Sequence, residues 1–289
     1  MQVFAQPPAA GEALQQAVFY FQEHGILNPR LEAEVLLSHL LGLNRAGLLA
    51  RLDQILIGEV WANFCLLVRK RGEGEPLQYL VGKQEFMSLE FKVTPAVLIP
   101  RGETELLVEK VLGLREDLES IKRIVRIVDV GTGSGAIAVS LAYYWPGAQV
   151  HAVDISRQAL EVARENAFRH QVKVKFFQGD LLEPFLKQEK KFEIIISNPP
   201  YIPTSLLKTL PREVSQEPLL SLDGGEDGLE PYRRLAPQAA SLLSTGGFLA
   251  LEIGWDQGNR VREILKKEGF SQIDLLQDYG GRDRIILAR

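Results

Sequence analysis

The sequence predicts an α/β protein: a seven-stranded, doubly wound and mostly parallel sheet, preceded by a small helical bundle and a β-hairpin linker. Three patterns predict it. Apolar residues recur at intervals of three and four through roughly the first 75 positions. The segment 84–93 alternates apolar with polar. Seven short apolar runs then alternate with helical stretches to the end of the chain.

In the first helix Leu14, Ala17, Val18 and Phe21 share one face, and Gly25 supplies its stop. Asn28 followed by Pro29 gives an N-cap and a first-turn proline to a second helix, which Gly42 closes. A third helix, from about 58 to 71, carries Val60, Phe64, Leu67 and Val68. These stripes form the core of a small bundle. The character changes at Gly72-Glu73-Gly74-Glu75-Pro76, and Gln84 to Val93 then reads as a hairpin or extended linker. From Ile99-Pro100-Arg101 onward helix and strand alternate, with strands at about 124–130, 149–153, 173–177, 192–197, 247–253, 272–277 and 284–288. The last two are joined by only Asp278 to Asp283, a connection that permits nothing but an antiparallel hairpin. The expected domains are 1–75, 76–98 as the hairpin linker, and 99–289. No internal repeat or low-complexity segment interrupts them.

A chain of 289 residues is comfortable for two domains, and its 46% hydrophobic and 24% charged residues are those of an ordinary soluble globular protein. The single cysteine, Cys65, excludes an internal disulfide framework. No apolar run is long enough for a bilayer and the N-terminus has no charged n-region, so the cytoplasm is the expected compartment. Lys and Arg number 33 against 37 Asp and Glu, a net charge of −4. The short basic clusters Arg69-Lys70-Arg71 and Lys187 to Lys191 read as solvated faces, not as a nucleic-acid footprint. His24, His39, His151 and His170 lack metal-ligand spacing, and Ser197 lacks a nucleophile-elbow context.

The chemistry is written at four strand ends. Gly131-Thr132-Gly133-Ser134-Gly135 follows the first strand of the sheet and opens a helix near Ala136, so backbone N–H groups can approach a ligand closely. The loop lacks the lysine of a phosphate-binding P-loop. The second strand ends in Val153-Asp154, a carboxylate placed to accept ribose hydroxyls; Ser156 is free to cap the next helix in its stead. The third leads to Gly179-Asp180-Leu181, an acceptor for an adenine amino group beside an apolar cover for the ring. The fourth, Phe192 to Ser197, stops at Asn198-Pro199-Pro200-Tyr201, because two prolines cannot continue a ladder. That turn sets an amide side chain, a prolyl carbonyl and an aromatic face together at the carboxyl end of a strand, an arrangement suited to a planar amide or exocyclic amine nitrogen.

In this order the motifs resemble those of class I S-adenosylmethionine-dependent methyltransferases acting on nitrogen. More narrowly, the chain resembles the HemK/PrmC family of release factor glutamine methyltransferases. Pro76 to Gly82, Leu98 to Glu105, Glu217-Pro218 with Gly224 to Leu229, and Leu251-Glu252-Ile253-Gly254 carry the narrower likeness. Gly102 stands where the family often has proline, and Leu181 where some members carry an aromatic. The resemblance implies a Rossmann-like catalytic domain over 99–289 that takes S-adenosyl-L-methionine and releases S-adenosyl-L-homocysteine. It implies cofactor contacts from Gly131, Thr132, Gly133, Ser134, Gly135, Asp154, Ile155, Asp180, Leu181 and Asn198. Asn198, Pro199 and Tyr201 are the implied catalytic residues, with Pro200 joining them around the substrate. Two oxygens, Asn198 Oδ1 and the Pro199 carbonyl, would accept the amide hydrogens of a substrate glutamine while Tyr201 stacks on the amide; no general base is required.

The implied substrate is the glutamine of the Gly-Gly-Gln loop of class I peptide chain release factors, whose body the helical domain would recognise. The enzyme is expected to be monomeric and to act without direct nucleic-acid or membrane contact. The alternative is a nucleic-acid amino-methyltransferase holding a flipped adenine or guanine in the same cup; the acidic net charge and the lack of a base-reading domain weigh against it. A non-catalytic adaptor has no need of Gly131, Gly133, Gly135, Asp154 and Asn198 together, and a nicotinamide dehydrogenase has no use for Asn-Pro-Pro-Tyr. Glu252, at a strand end, is left open between a structural and a substrate-contact role.

Overall fold

The computed structural model describes residues 7–122, 124–187 and 190–289. The extreme N-terminus, read above for a leader, and the centre of the Lys187 to Lys191 cluster lie outside them. Two compact units are present, one running to Gly82 and including Pro211–Gln216, the other comprising Lys83–Leu210 and Glu217–Arg289.

The first unit contains α1 (Ala10–Glu23), α2 (Pro29–Leu41), α3 (Arg45–Leu49), α4 (Gly58–Gly72) and α5 (Leu77–Val81). Its core is made by the expected stripes: Leu14, Ala17 and Phe21 of α1 meet Leu36 and Leu37 of α2 and Phe64 and Val68 of α4. Pro29 opens α2 and Gly42 ends it in the left-handed region at φ 64°. Arg71 corrects the reading of its cluster as a solvated face. Its side chain is buried between Glu32 (Nε–Oε2 2.5 Å) and Glu213 (Nη2–Oε1 2.5 Å). A buried guanidinium requires such partners, and the second lies 142 residues away in sequence.

The second unit begins with a hairpin, β1 (Lys83–Phe86) and β2 (Leu89–Lys92), whose two-residue turn holds Met87 and Ser88 at φ 50° and 58°. Expected as a join between domains, the hairpin is packed into the sheet unit. Phe86, Leu89 and Phe91 are buried in the same cluster as Leu107, Val111 and Trp145. Asn166 takes the Lys92 N–H on its Oδ1 (2.7 Å) and gives its Nδ2 to the carbonyls of Lys92 (3.0 Å) and Ser134 (2.8 Å). One buried amide thereby braces the hairpin against the glycine loop.

The sheet follows as α6 (Gly102–Leu112), α7 (Arg115–Ile121), β3 (Arg126–Val130), α8 (Ala136–Tyr144), β4 (Gln149–Asp154), α9 (Arg157–Arg169), β5 (Val174–Gln178), α10 (Glu183–Leu186), β6 (Phe192–Ser197), α11 (Glu230–Leu242), β7 (Leu243–Glu252), α12 (Gly258–Lys267), β8 (Ile273–Gln277) and β9 (Asp283–Ala288). Strand order is β5-β4-β3-β6-β7-β9-β8, parallel from β5 to β7, with β9 antiparallel to both β7 and β8. The chain leaves β3 toward β4 and later returns to β6 on its other side, so the crevice between β3 and β6 is the topological switch point. Both faces of β6 are buried: Ile194 and Ile196 join the hairpin-side core, whereas Ile195 joins Leu249 and Tyr232 on the other. Each of these isoleucines contributes about 1.5–3 kcal/mol of apolar burial. Among the described residues no helix is long and apolar enough to cross a membrane.

Because Phe91 is fully buried in the sheet unit's core, Phe91→Ala should destabilise that unit by about 3–5 kcal/mol. Urea unfolding followed by tryptophan fluorescence measures it, and a change below about 0.5 kcal/mol, that of a surface position, would make the hairpin a tether.

Candidate active site

The glycine loop leaves β3 at Val130 with Gly131, Gly133 and Gly135 at φ 74°, 54° and 81°. These left-handed values suit residues without a Cβ. A Cβ at Gly131 or Gly133 would meet nothing within 4 Å, so the loop borders open space, whereas one at Gly135 would lie 3.0 Å from Ala163 Cβ. The first two glycines leave room for a ligand, and the third lets α8 pack on α9.

Asp129, within β3, holds the loop from below. Its Oδ2 accepts from Thr132 Oγ1 (2.6 Å) and the Ala138 N–H (3.2 Å), while its buried Oδ1 has no partner among the described residues. Burial pushes this carboxyl up to about 7. The sequence reading gave Asp129 no role, although an acid inside a β-branched run was the signal.

Asp154 accepts the Gly133 N–H on Oδ2 and the Ser156 N–H on Oδ1, both at 2.8 Å. Each oxygen keeps a second lone pair for a ligand hydroxyl. Burial raises its pKa. Ser156 Oγ caps α9 by accepting the Ala159 N–H at 3.2 Å, as expected. Ile155 stands exposed beside it. The Gly179 N–H donates to the Asp154 carbonyl at 3.0 Å, which joins the β4 and β5 ends. Asp180 is ion-paired with Arg234 through Oδ2, and Leu181 adopts φ 51° while packing against the core under β5. The donors and the open floor fit an adenosine-type ligand laid across β3, β4 and β5.

Val130 pairs with Ser197, and Ser197 Oγ donates to the Val130 carbonyl at 2.7 Å, so Asn198 emerges beside the glycine loop. Asn198 Nδ2 donates to Thr104 Oγ1 at 3.1 Å, and Thr104 Oγ1 donates to Glu252 Oε2 at 2.6 Å. Tyr201 donates its hydroxyl to Glu252 Oε1 at 3.4 Å, and burial pushes that phenol up to about 12. Among the described residues, neither Asn198 Oδ1 nor the Pro199 carbonyl accepts a hydrogen bond. Two acceptors are therefore unspent at the β6 end. Glu252, left open above between a structural and a substrate-contact role, joins Thr104 and Tyr201 through its two carboxylate oxygens.

The backbone of the turn is held as firmly. Gln257 Nε2 donates to the carbonyls of Tyr201 (2.9 Å) and Gly228 (3.1 Å). A Cβ at Gly228 would lie 2.4 Å from the Tyr201 carbonyl oxygen, which accounts for glycine in that segment. Buried Glu217 accepts the Ile99 N–H at 3.0 Å and pairs with Arg101, fixing the entry to α6 and hence Thr104. The histidines stay apart: His151 is buried, its pKa lowered by burial to about 4, and it stacks on Phe177 at 6.0 Å. No cluster fit to hold a metal occurs among the described residues.

Residues 12–82 match the PrmC N-terminal domain family, and residues 103–209 match the methyltransferase small domain family. The release factor glutamine methyltransferase of Moorella thermoacetica is 51% identical over 280 residues, 96% of this chain and 97% of that protein. Those of Geobacter sulfurreducens and Bacillus subtilis are 44% and 42% identical, covering 93% of both chains and 96% of both chains respectively. Among solved structures, the hMettl16 catalytic domain bound to the MAT2A 3'UTR hairpin 6 aligns at a TM-score of 0.53 and 15% identity, over 81% of this chain and 83% of that one. The T. thermophilus 16S rRNA N2 G1207 methyltransferase with AdoMet and guanosine aligns at 0.51 and 19% identity, over 72% and 49%. At such identities these likenesses concern the fold alone. With relatives this similar along nearly its whole length, the chain belongs to the release factor glutamine methyltransferase family.

Proposed function

We propose that the protein transfers the methyl group of S-adenosyl-L-methionine to the side-chain nitrogen N5 of the glutamine in the Gly-Gly-Gln motif of class I peptide chain release factors. The observation that carries this reading is the pair of unspent acceptors, Asn198 Oδ1 and the Pro199 carbonyl, beside an amide whose nitrogen is already engaged. The family membership supports it.

An amide nitrogen is a poor nucleophile because its lone pair is delocalised into the carbonyl, so the protein's task is orientation. When bound, the sulfonium cofactor supplies a strongly electrophilic methyl group. Asn198 Oδ1 and the Pro199 carbonyl accept the two amide hydrogens of the glutamine and fix its plane. Both bonds strengthen as positive charge grows on the nitrogen, which is where preorganised acceptors lower a barrier. Tyr201, its hydroxyl tied to Glu252, offers its ring to the flat amide, and Pro200 closes the rim. Proton loss follows transfer, since the alkylated nitrogen is strongly acidic, and no residue is assigned as base. On the cofactor side, Gly131 to Gly135 bring backbone close to the ligand. Asp154 accepts from the ribose, Asp180 from the adenine amino group, and Ile155 and Leu181 flank the ring.

The helical unit is assigned recognition of the release factor body. The enzyme then works as a monomer on a protein partner, in the cytoplasm where termination occurs, without gripping nucleic acid.

Asp154→Ala should weaken cofactor binding by about tenfold or more, the loss of one or two charge-assisted hydrogen bonds; calorimetry with unchanged affinity would remove Asp154 from the ribose site. Asn198→Ala should leave cofactor affinity within a few-fold while methyl transfer falls by on the order of a hundredfold or more. The assay is mass spectrometry of the release factor, run beside DNA and ribosomal RNA as acceptors. Methylation of RNA or DNA with the release factor untouched would replace the proposed substrate.

A further inference from the structure

We propose that Thr104 and Glu252 are positioning residues that decide which end of the Asn198 amide faces the substrate; this rests on the reaction proposed above. The geometry alone makes the case. Thr104 has one hydroxyl proton. Buried Glu252, when ionised, only accepts, and its Oε2 lies 2.6 Å from Thr104 Oγ1, the distance of a charge-assisted bond. The proton is committed to Glu252, and Thr104 Oγ1 turns lone pairs toward Asn198. It can then accept only the amide nitrogen, which stands 3.1 Å away. Flipping the amide would set Oδ1 against Oγ1 with no proton between them. Asn198 Oδ1 is thereby kept for the substrate.

The anchor at the far end is rigid. Glu252 closes β7, pairs with Ile285 of β9, and its carbonyl accepts the Tyr232 hydroxyl at 3.0 Å. Its Oε1 holds Tyr201, so one carboxylate sets both the amide and the aromatic ring of the cup. Thr104 itself sits in the first turn of α6, fixed by its N–H to the Arg101 carbonyl at 3.1 Å.

The relay has a polarity that protonation reverses. A protonated Glu252 donates to Thr104, and the freed Thr104 proton then suits Asn198 Oδ1, turning the wrong atom inward. The groups that act on this carboxyl are Thr104, Tyr201, Arg284 and Glu103, with Tyr232 on its carbonyl; burial dominates and holds it at about 7. Transfer should therefore fall as pH drops through that value.

The test uses Thr104→Val, Thr104→Ser and Glu252→Gln in the full-length enzyme with release factor as acceptor. Thr104→Val should lower kcat about a hundredfold, the penalty of a misplaced reacting group, with cofactor affinity unchanged by calorimetry. Thr104→Ser should recover most of the loss. The wild-type kcat should show an inflection near 7 that Glu252→Gln abolishes. Thr104→Val with wild-type kcat, Thr104→Ser as impaired as Thr104→Val, or Asn198 side-chain amide signals whose pH dependence is the same in Glu252→Gln would each overturn the relay. The side-chain amide proton and nitrogen NMR signals of Asn198, followed against pH without any acceptor, separate the two readings. If they shift with Glu252 while the release factor is not methylated, the relay stands and the substrate assignment falls. If they ignore Glu252 while the release factor is methylated, the relay falls alone.

Discussion

The parallel pairing of β3 with β6 is the constraint on which the site depends. It sets Val130 opposite Ser197, and the Ser197 hydroxyl locks the two strand ends together. Everything that follows those residues, the glycine loop on one side and Asn198 to Tyr201 on the other, is brought to one crevice by that register. A one-residue slip would turn every side chain of β6 to the opposite face. Isoleucine on both faces would tolerate it, so the register is held by the polar ends of the strand: Glu193 accepts the Arg126 N–H at 2.8 Å, and Ser197 Oγ donates to the Val130 carbonyl.

Polar order at this crevice is maintained by groups that are themselves deeply buried. Asp129 and Glu252 are both nearly inaccessible carboxyls whose pKa burial pushes up to about 7. Neither is a comfortable residue for a protein core. Because their folded values lie above their unfolded ones, each makes the fold less stable as pH rises from about 4 toward 7. Both serve the site: one fastens the loop through Thr132 and Ala138, the other fastens Asn198 and Tyr201 through Thr104 and its own Oε1.

Much of this was legible in the sequence, for reasons that can be named. The β6 run and its Pro-Pro stop, the loop glycines, the Ser156 cap and the antiparallel β8–β9 pair are all local patterns, and local patterns are what spacing reports. The Thr104–Glu252 bond was not legible, since its partners are 148 residues apart and neither sits in a periodic pattern that demands the other. Arg71 was misread for the same reason: a triplet of bases signals exposure unless one knows that Glu32 and Glu213 converge on it. The hairpin's place in the sheet unit depends on Phe91 and Asn166 meeting partners contributed by later helices. Asp180 was read as an acceptor for an adenine amino group; its pairing with Arg234 through Oδ2, 54 residues away, had no local signal.

In the proposed reaction two oxygens at the end of β6 pin a substrate carboxamide. A crystal structure of the enzyme with S-adenosyl-L-homocysteine and a peptide bearing Gly-Gly-Gln tests it most directly. The glutamine amide nitrogen is expected within hydrogen-bond distance of both Asn198 Oδ1 and the Pro199 carbonyl, with Asn198 Nδ2 still on Thr104. A glutamine seated elsewhere, or Asn198 presenting its nitrogen to the ligand, would contradict it.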